Sequence, residues 1–213
     1  MEQLIAILMA DLSGYTALTE THGAHSAADL VDKYIRIAEQ CLVGDSRLHE
    51  RTGDELMIVS ASADNLLATA VMIYNHTSKE EHFLRVHGGL HYGPVLQRNN
   101  YFFGSTINLV SRIAAKAGTD GFWCSSVFVN ALSHASAYKL EPKGNHLFKN
   151  ITEEIGIFKV MNEYNNEPYI DPVCRMLILD TKKAITDANE PGMYFCSTHC
   201  SETYSINHLK LKS

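Results

Sequence analysis

Two acidic residues sit where the apolar patterning of the chain breaks. Asp11 ends the apolar run of LIAILMADLSGYT, Leu4 to Thr16, and is followed closely by Gly14; Asp54 lies in RTGDELMIVS, between two further apolar runs. Carboxylates at the ends of buried strands are the oxygen ligands that hard divalent cations take, and a phosphate substrate brings the remaining oxygens. Turn chemistry favours Asp and Gly at such positions too, so the two residues by themselves leave both readings open. A second chemical set, Cys174, Cys196 and Cys200, lies toward the C-terminus. Thiolates select soft or borderline ions such as zinc or copper(I), with His199 or a water as the expected fourth ligand. Burial of the three as small hydrophobes is the alternative. His22, His25, His87 and His91 are assigned to core or surface and not to a metal; His87 and His91, four apart in a strand, are too widely separated for easy chelation.

The elements that must position these residues follow from periodicity. Residues 3 to 11 read as a buried strand. From Ser26 to Leu42 the apolar residues Leu30, Ile37, Ala38 and Cys41 keep a helical period, with Ser26 and Asp29 marking the start. Arg47 to Glu50 and Leu56 to Ala61 form a hairpin about the turn TGDE. A helix over Ala63 to Asn75, a strand over Leu84 to Tyr92 closed by Gly93 and Pro94, a helix over Ser105 to Ala117, and strands near Phe122 to Ser125 and Ile155 to Val160 complete the series. The order β, α, β, β, α, β predicts an α+β fold of the ferredoxin-like type, an antiparallel sheet with helices on one face. Asn162 to Pro168 is polar and aperiodic and reads as a linker. The C-terminal segment beyond the linker is too short for a generous core and would gain from a metal staple.

Composition narrows the function classes. The net charge is −6 and the basic residues are scattered, which argues against a nucleic-acid partner. The first apolar run is too short for a membrane span and lacks the marks of a signal peptide, so a cytoplasmic protein is expected. Five cysteines, an odd number, argue against a disulfide framework.

ADLSGYT, RTGDEL, VHGGLHYGPV, FFGSTINLVSRIAAKA and HLFKNI occur in the order found in class III nucleotide cyclase catalytic domains. The chain resembles that family over residues 3 to 161, and the domain is expected to span 1–163. The resemblance implies that Asp11 and Asp54 hold two divalent cations, Mg2+ or Mn2+. It implies that the backbone of Leu12, Ser13, Gly14 and Tyr15 cradles the triphosphate, with the following helix offering its N-terminal amides. Asn108 would orient the ribose, Arg112 would stabilise charge developing on the α-phosphate, and Lys149 would contact the terminal phosphates. The family builds its site from two subunits, which implies a homodimer with composite sites. The short segment Gly93 to Gly104 resembles a reduced dimerisation arm. Glu50 stands where the family selects the base, and a carboxylate accepts from the N1 and 2-amino groups of guanine, which favours GTP. Tyr101, at the partner position, fits neither the adenylate nor the guanylate pattern and leaves ATP or a pyrimidine nucleotide open.

DPVCRM, Asp171 to Met176, and MYFCSTHC, Met193 to Cys200, resemble the YHS domain over residues 168 to 208, and that domain is expected to span 168–213. That resemblance implies a small metal-associated module holding Zn2+ or Cu+ through Cys174, Cys196 and Cys200; its juxtaposition with the cyclase-like domain alone makes it a candidate input that senses a metal or redox state and adjusts the dimer. Where YHS domains usually carry glycine, this chain has Arg175. The alternative function is a catalytically silent cyclase-fold dimerisation or nucleotide-binding scaffold that displays the metal module.

Overall fold

A computed structural model describes residues 2–161, 169–178, 180–187 and 191–211. The linker expected over Asn162 to Pro168 lies outside the described residues. Strand β1 (Glu2–Ser13) decides the architecture, because both of its faces are apolar. Ala6, Leu8, Ala10 and Leu12 enter one core and Ile5, Ile7 and Met9 another, as the period-two geometry of a central strand demands. Helices α1 (Tyr15–Gln40) and α2 (Ala63–Thr77) cover the first face. Strands β2 (Arg47–Thr52), β3 (Glu55–Ser60) and β4 (Arg85–Arg98) complete an antiparallel group in the spatial order β2-β3-β1-β4. This is the βαββαβ unit that the sequence pattern implies.

Beyond that unit the structure departs from a one-sided antiparallel sheet. Strand β5 (Tyr101–Phe103) folds back on β4; helix α3 (Ser105–Ala117) then leads to β6 (Phe122–Ser125), which lies parallel to β4. Two parallel strands need a crossover between them, and α3 is that crossover. It packs Val110 and Ala114 onto Ile5, Ile7 and Met9, so helices flank both faces. After the short helix α4 (Ser126–Asn130), β7 (Leu140–His146) and β8 (Ile155–Val160) extend the sheet in the order β6-β8-β7. Strand β7, LEPKGNH, has no apolar alternation and lies at the edge, which is why periodicity misses it.

Two boundaries shift for identifiable reasons. Helix α1 begins at Tyr15, not Ser26, because Gly14 takes a left-handed conformation (φ 94°) that turns the chain straight from strand into helix. Gly23 (φ 82°, ψ 167°) then interrupts the helix, and Ser26 marks its resumption. Strand β4 runs through Gly93 and Pro94 to Arg98. Its pairing with β6 ends at Leu90 and its pairing with β5 begins at Leu96, so between them its second edge carries no strand and a proline at 94 is tolerated.

The C-terminal module contains two short pairs, β9 (Tyr169–Ile170) with β10 (Leu177–Ile178) and β11 (Ile185–Thr186) with β12 (Tyr194–Phe195), followed by α5 (Thr198–Leu211). Cys174, Phe195 and Cys200 make its own small core. The module is docked on the sheet domain: Leu177 N–H donates to the Phe83 carbonyl at 2.6 Å, His82 N–H to the Leu177 carbonyl at 3.1 Å, and Met176 packs against both cores. Among the described residues no helix is long and apolar enough to cross a membrane.

The sheet and α3 approach most closely at Gly89, where an added Cβ would lie 2.5 Å from Ala114 N and 2.6 Å from Val110 O. Both are backbone atoms, which cannot swing aside. Gly89→Ala is expected to destabilise the fold by about 1–3 kcal/mol, the range for overpacking, measured as a lower midpoint in urea unfolding.

Candidate active site

The register of β1 on β3 brings the two aspartates together. Ala10 pairs with Leu56, so Asp11 emerges beside the β2–β3 turn that carries Gly53 and Asp54. Gly53 (φ 63°) supplies the left-handed residue that this tight turn needs. Asp54 is pushed up to about 7, first by burial, then by hydrogen bonding to and repulsion from the Asp11 carboxylate; the Leu12 amide pulls the other way. Glu55 is raised as well, by burial and by repulsion from Asp54 and Glu50. Beneath them the buried hydroxyl of Tyr34 has no hydrogen-bond partner among the described residues, and burial and the charges of Asp11, Asp54 and Glu55 push its pKa up. Crowded carboxylates are a donor set suited to a hard divalent cation.

His87 pairs with Asp11 across β1 and β4, and its Nδ1 lies 2.9 Å from Ser13 Oγ. Burial lowers its pKa, so a neutral imidazole sits beside the acidic pair. The spacing from His87 to His91 concealed this, because the relevant partner is across the sheet. His91 itself is buried and bonded to Ser125 Oγ at 2.7 Å, a structural role.

The remaining expected residues fall into separate groups. Leu12, Ser13, Gly14 and Tyr15 form the strand-to-helix turn at the head of α1, contiguous with Asp11. On α3 the buried positions Thr106, Leu109, Val110, Ile113, Ala114 and Ala117 leave Asn108 exposed and Arg112 half-buried on the outer flank. Neither makes a hydrogen bond or ion pair among the described residues. Phe148 packs under Leu109 and Ile113, which brings exposed Lys149 to the α3 side of the molecule. Glu50 is exposed and pairs with Met57, on the sheet face that α3 partly covers. Tyr101, 59% exposed, pairs with Arg98 at the far end of β4. Glu50 lies at the level of Gly89 through Met57 and Met9. The β4–β5 hairpin folds back over this face, since Phe102 joins the same cluster as Met57 and its ring stacks on that of His49 at 4.2 Å between centroids. The two positions expected to select the base, each next to a member of that stacked pair, therefore lie on neighbouring segments of one copy.

The cysteine trio does converge, with a partner that spacing did not reveal. Cys174 Sγ lies 3.4 Å from Cys196 Sγ, and Cys196 Sγ lies 3.6 Å from Cys200 Sγ. The fourth group is His22 of α1, whose Nε2 is 3.5 Å from Cys200 Sγ and 3.9 Å from Cys196 Sγ. This corrects both the exclusion of His22 and the expectation of His199, which only meets the His22 ring edge-on at 6.2 Å between centroids. Hydrogen bonds from the Cys174 and Cys196 thiols push the Cys200 pKa down, while Cys174, as donor, is pushed up. The left-handed conformation after Cys174 is present too: Arg175 adopts φ 68°.

No family model matches the chain. An uncharacterized protein of Mycobacterium tuberculosis is 36% identical over 109 residues, 51% of this chain and 29% of that protein. An adenylate cyclase of Glutamicibacter nicotianae is 26% identical over 136 residues, 63% of this chain and 34% of that protein. The chain thus spans about a third of the length of these curated relatives. Among solved structures, the adenylyl cyclase CyaB from P. aeruginosa superposes with a TM-score of 0.64 at 15% identity, covering 78% of this chain and 97% of that one. A non-canonical dimeric guanylyl cyclase domain, from the RhoGC fusion protein of the fungus Blastocladiella emersonii, gives 0.63 at 17%, covering 76% and 98%. The fold is that of the class III nucleotide cyclase catalytic domain, and the name of the Glutamicibacter relative agrees with it.

A carboxyl whose folded pKa is raised contributes stability below its unfolded pKa and loses it as pH rises through the folded value. For Asp54 that window runs from the ordinary aspartate range up to about 7. In cation-free protein, NMR titration of its carboxyl carbon should show a midpoint near 7. Asp11→Asn should lower that midpoint; an unchanged value would mean that burial alone sets it.

Proposed function

We propose that this chain is a nucleotide cyclase that converts a nucleoside triphosphate, preferentially GTP, into a 3′,5′-cyclic monophosphate and pyrophosphate in a symmetric homodimer. The observation that carries the reading is the Asp11–Asp54 pair, two half-buried carboxylates held together beside the strand-to-helix turn at Gly14. Asp11 and Asp54 would hold two divalent cations, which when bound lower the pKa of the ribose 3′-hydroxyl and offset the charge of the triphosphate.

The other residues account for positioning and electrostatics. The amides of Ser13 to Tyr15, at the positive end of α1, receive phosphate oxygens. The 3′-oxygen loses its proton and attacks the α-phosphorus in line; the O3′–P bond forms as the bond to the β-phosphate oxygen breaks, and pyrophosphate leaves. Arg112 faces the non-bridging oxygens of the α-phosphate as charge grows there, with a guanidinium fork that stays charged at any working pH. Asn108 holds the ribose and Lys149 the terminal phosphates. Because Asn108 and Arg112 stand on the outward flank of α3, they serve the carboxylates of a second copy, and the β4–β5 hairpin keeps Tyr101 on the segment next to Glu50, with Phe102 stacked on His49. Glu50 accepts from the base, and that assignment favours GTP.

One contact favours the alternative of a catalytically silent scaffold. The Arg175 side chain lies against Gly14, where a Cβ would sit 2.5 Å from Arg175 Cβ, so the module covers part of the proposed phosphate turn.

Two experiments separate these readings. Incubation with Mn2+ and each of the four ribonucleoside triphosphates should yield cyclic GMP and pyrophosphate fastest, and Glu50→Lys should shift the GTP-to-ATP ratio toward ATP by at least about tenfold. No product from any of the four would establish the scaffold reading. Asp54→Ala and Arg112→Ala should each lose more than about a hundredfold in turnover. An equal mixture of the two variants should recover up to about a quarter of wild-type activity, since half the dimers are mixed and each has one intact site; no recovery would remove the composite dimer.

A further inference from the structure

We propose that His22, Cys174, Cys196 and Cys200 form a zinc site that joins the sheet domain to the C-terminal module and clasps the module against the head of α1. The four donor atoms lie within 4.8 Å of one another. A tetrahedral zinc ion with Zn–S near 2.3 Å and Zn–N near 2.05 Å requires S···S separations of about 3.8 Å and S···N separations of about 3.6 Å. Four of the six observed separations are 3.4 and 3.6 Å between sulfurs and 3.5 and 3.9 Å from sulfur to nitrogen, and the two from Cys174 to Cys200 and to His22 are no longer than 4.8 Å. Three thiolates and one imidazole form a closed structural set, and four donors at tetrahedral spacing favour zinc over copper(I).

The surroundings are built to hold that set. Asp171, fully buried, accepts the Val173 and Cys174 amides through Oδ1 at 2.8 and 3.1 Å and the Cys196 amide through Oδ2 at 2.7 Å. One carboxylate thereby fixes two ligand-bearing strands of chain, the kind of outer-shell support that orients metal ligands. Ser197 accepts the Cys200 amide at 3.2 Å, placing Cys200 in the first turn of α5, where amide dipoles favour a thiolate. On the other side, Gly23 breaks α1 directly after His22.

The clasp has a mechanical consequence. Cys174 is followed by Arg175, whose left-handed backbone is disfavoured for a side chain with a Cβ, and by Met176, anchored between the two cores. Fixing Cys174 to His22 seats the Arg175 stem on Gly14, at the turn that opens α1. Zinc loading would set whether that turn is covered. The site rests on side-chain geometry and not on the cyclase reading, and metal binding and amide exchange report on it whether or not a nucleotide is turned over.

The reduced protein should bind one equivalent of Co2+, with the visible d–d bands of a tetrahedral ion and thiolate-to-cobalt charge transfer of three sulfurs, and zinc should displace it. His22→Ala should weaken zinc binding at least about tenfold, while His25→Ala leaves it unchanged. His22→Cys should restore stoichiometric binding with stronger charge transfer, which separates loss of a ligand from loss of fold. Chelation should accelerate amide exchange at Leu177 and His82, whose hydrogen bonds dock the module. Unaltered zinc affinity in His22→Ala, a Cys196–Cys200 disulfide in place of bound metal in anaerobically purified protein, or unchanged amide exchange on chelation would overturn the clasp.

Discussion

The structure turns on two carboxylates held together against their own repulsion. Asp11 and Asp54 come from segments about forty residues apart and meet because the β1–β3 register permits no other arrangement. Slipping that register by one residue would exchange the faces of β1. Ile5, Ile7 and Met9 would leave their contact with α3, and Asp11 would turn toward the face that α1 and α2 cover. Each fully buried Leu, Ile or Val contributes about 1.5–3 kcal/mol, so the apolar alternation of the strand outweighs the electrostatic strain at its end. The raised pKa of Asp54 is the visible residue of that contest.

The other expected site residues show what a single copy leaves undone. Helix α3 commits its apolar face to the sheet and to Phe148, which obliges Asn108 and Arg112 to face outward. In the proposed homodimer a two-fold partner would bring Asn108 and Arg112 to the acidic pair, and the exposed tip of the β4–β5 hairpin, with Leu96, Tyr101 and Phe103 all more than a third exposed, is a feature that a second copy would cover.

The C-terminal module is tied to the same turn. Its docking strand bonds to Phe83 and His82, just before β4, and its cysteines reach His22, one helical stretch past Gly14. Any change in the cysteine cluster is therefore transmitted over a few covalent bonds to Arg175 and the head of α1. A small module whose core among the described residues centres on Cys174, Phe195 and Cys200 gains a fixed orientation from such ties.

Features that depend on near neighbours were legible in the order of residues alone. Apolar alternation in β1, the TGDE turn, the helical period of α3 and the motif order were enough to name the βαββαβ unit, the acidic pair and the outward pair on α3. Residues without a local signature escaped that reading. Strand β7 exists because β8 offers an edge, α1 starts early because Gly14 turns left-handed, and α3 lies on the opposite face because β6 runs parallel to β4. His22 and Cys200 are 178 residues apart, and no periodicity or spacing rule links them. Their meeting was settled by the packing of α1 against the C-terminal module, because long-range contacts depend on how elements pack, whereas spacing along the chain reports only on the element each residue occupies.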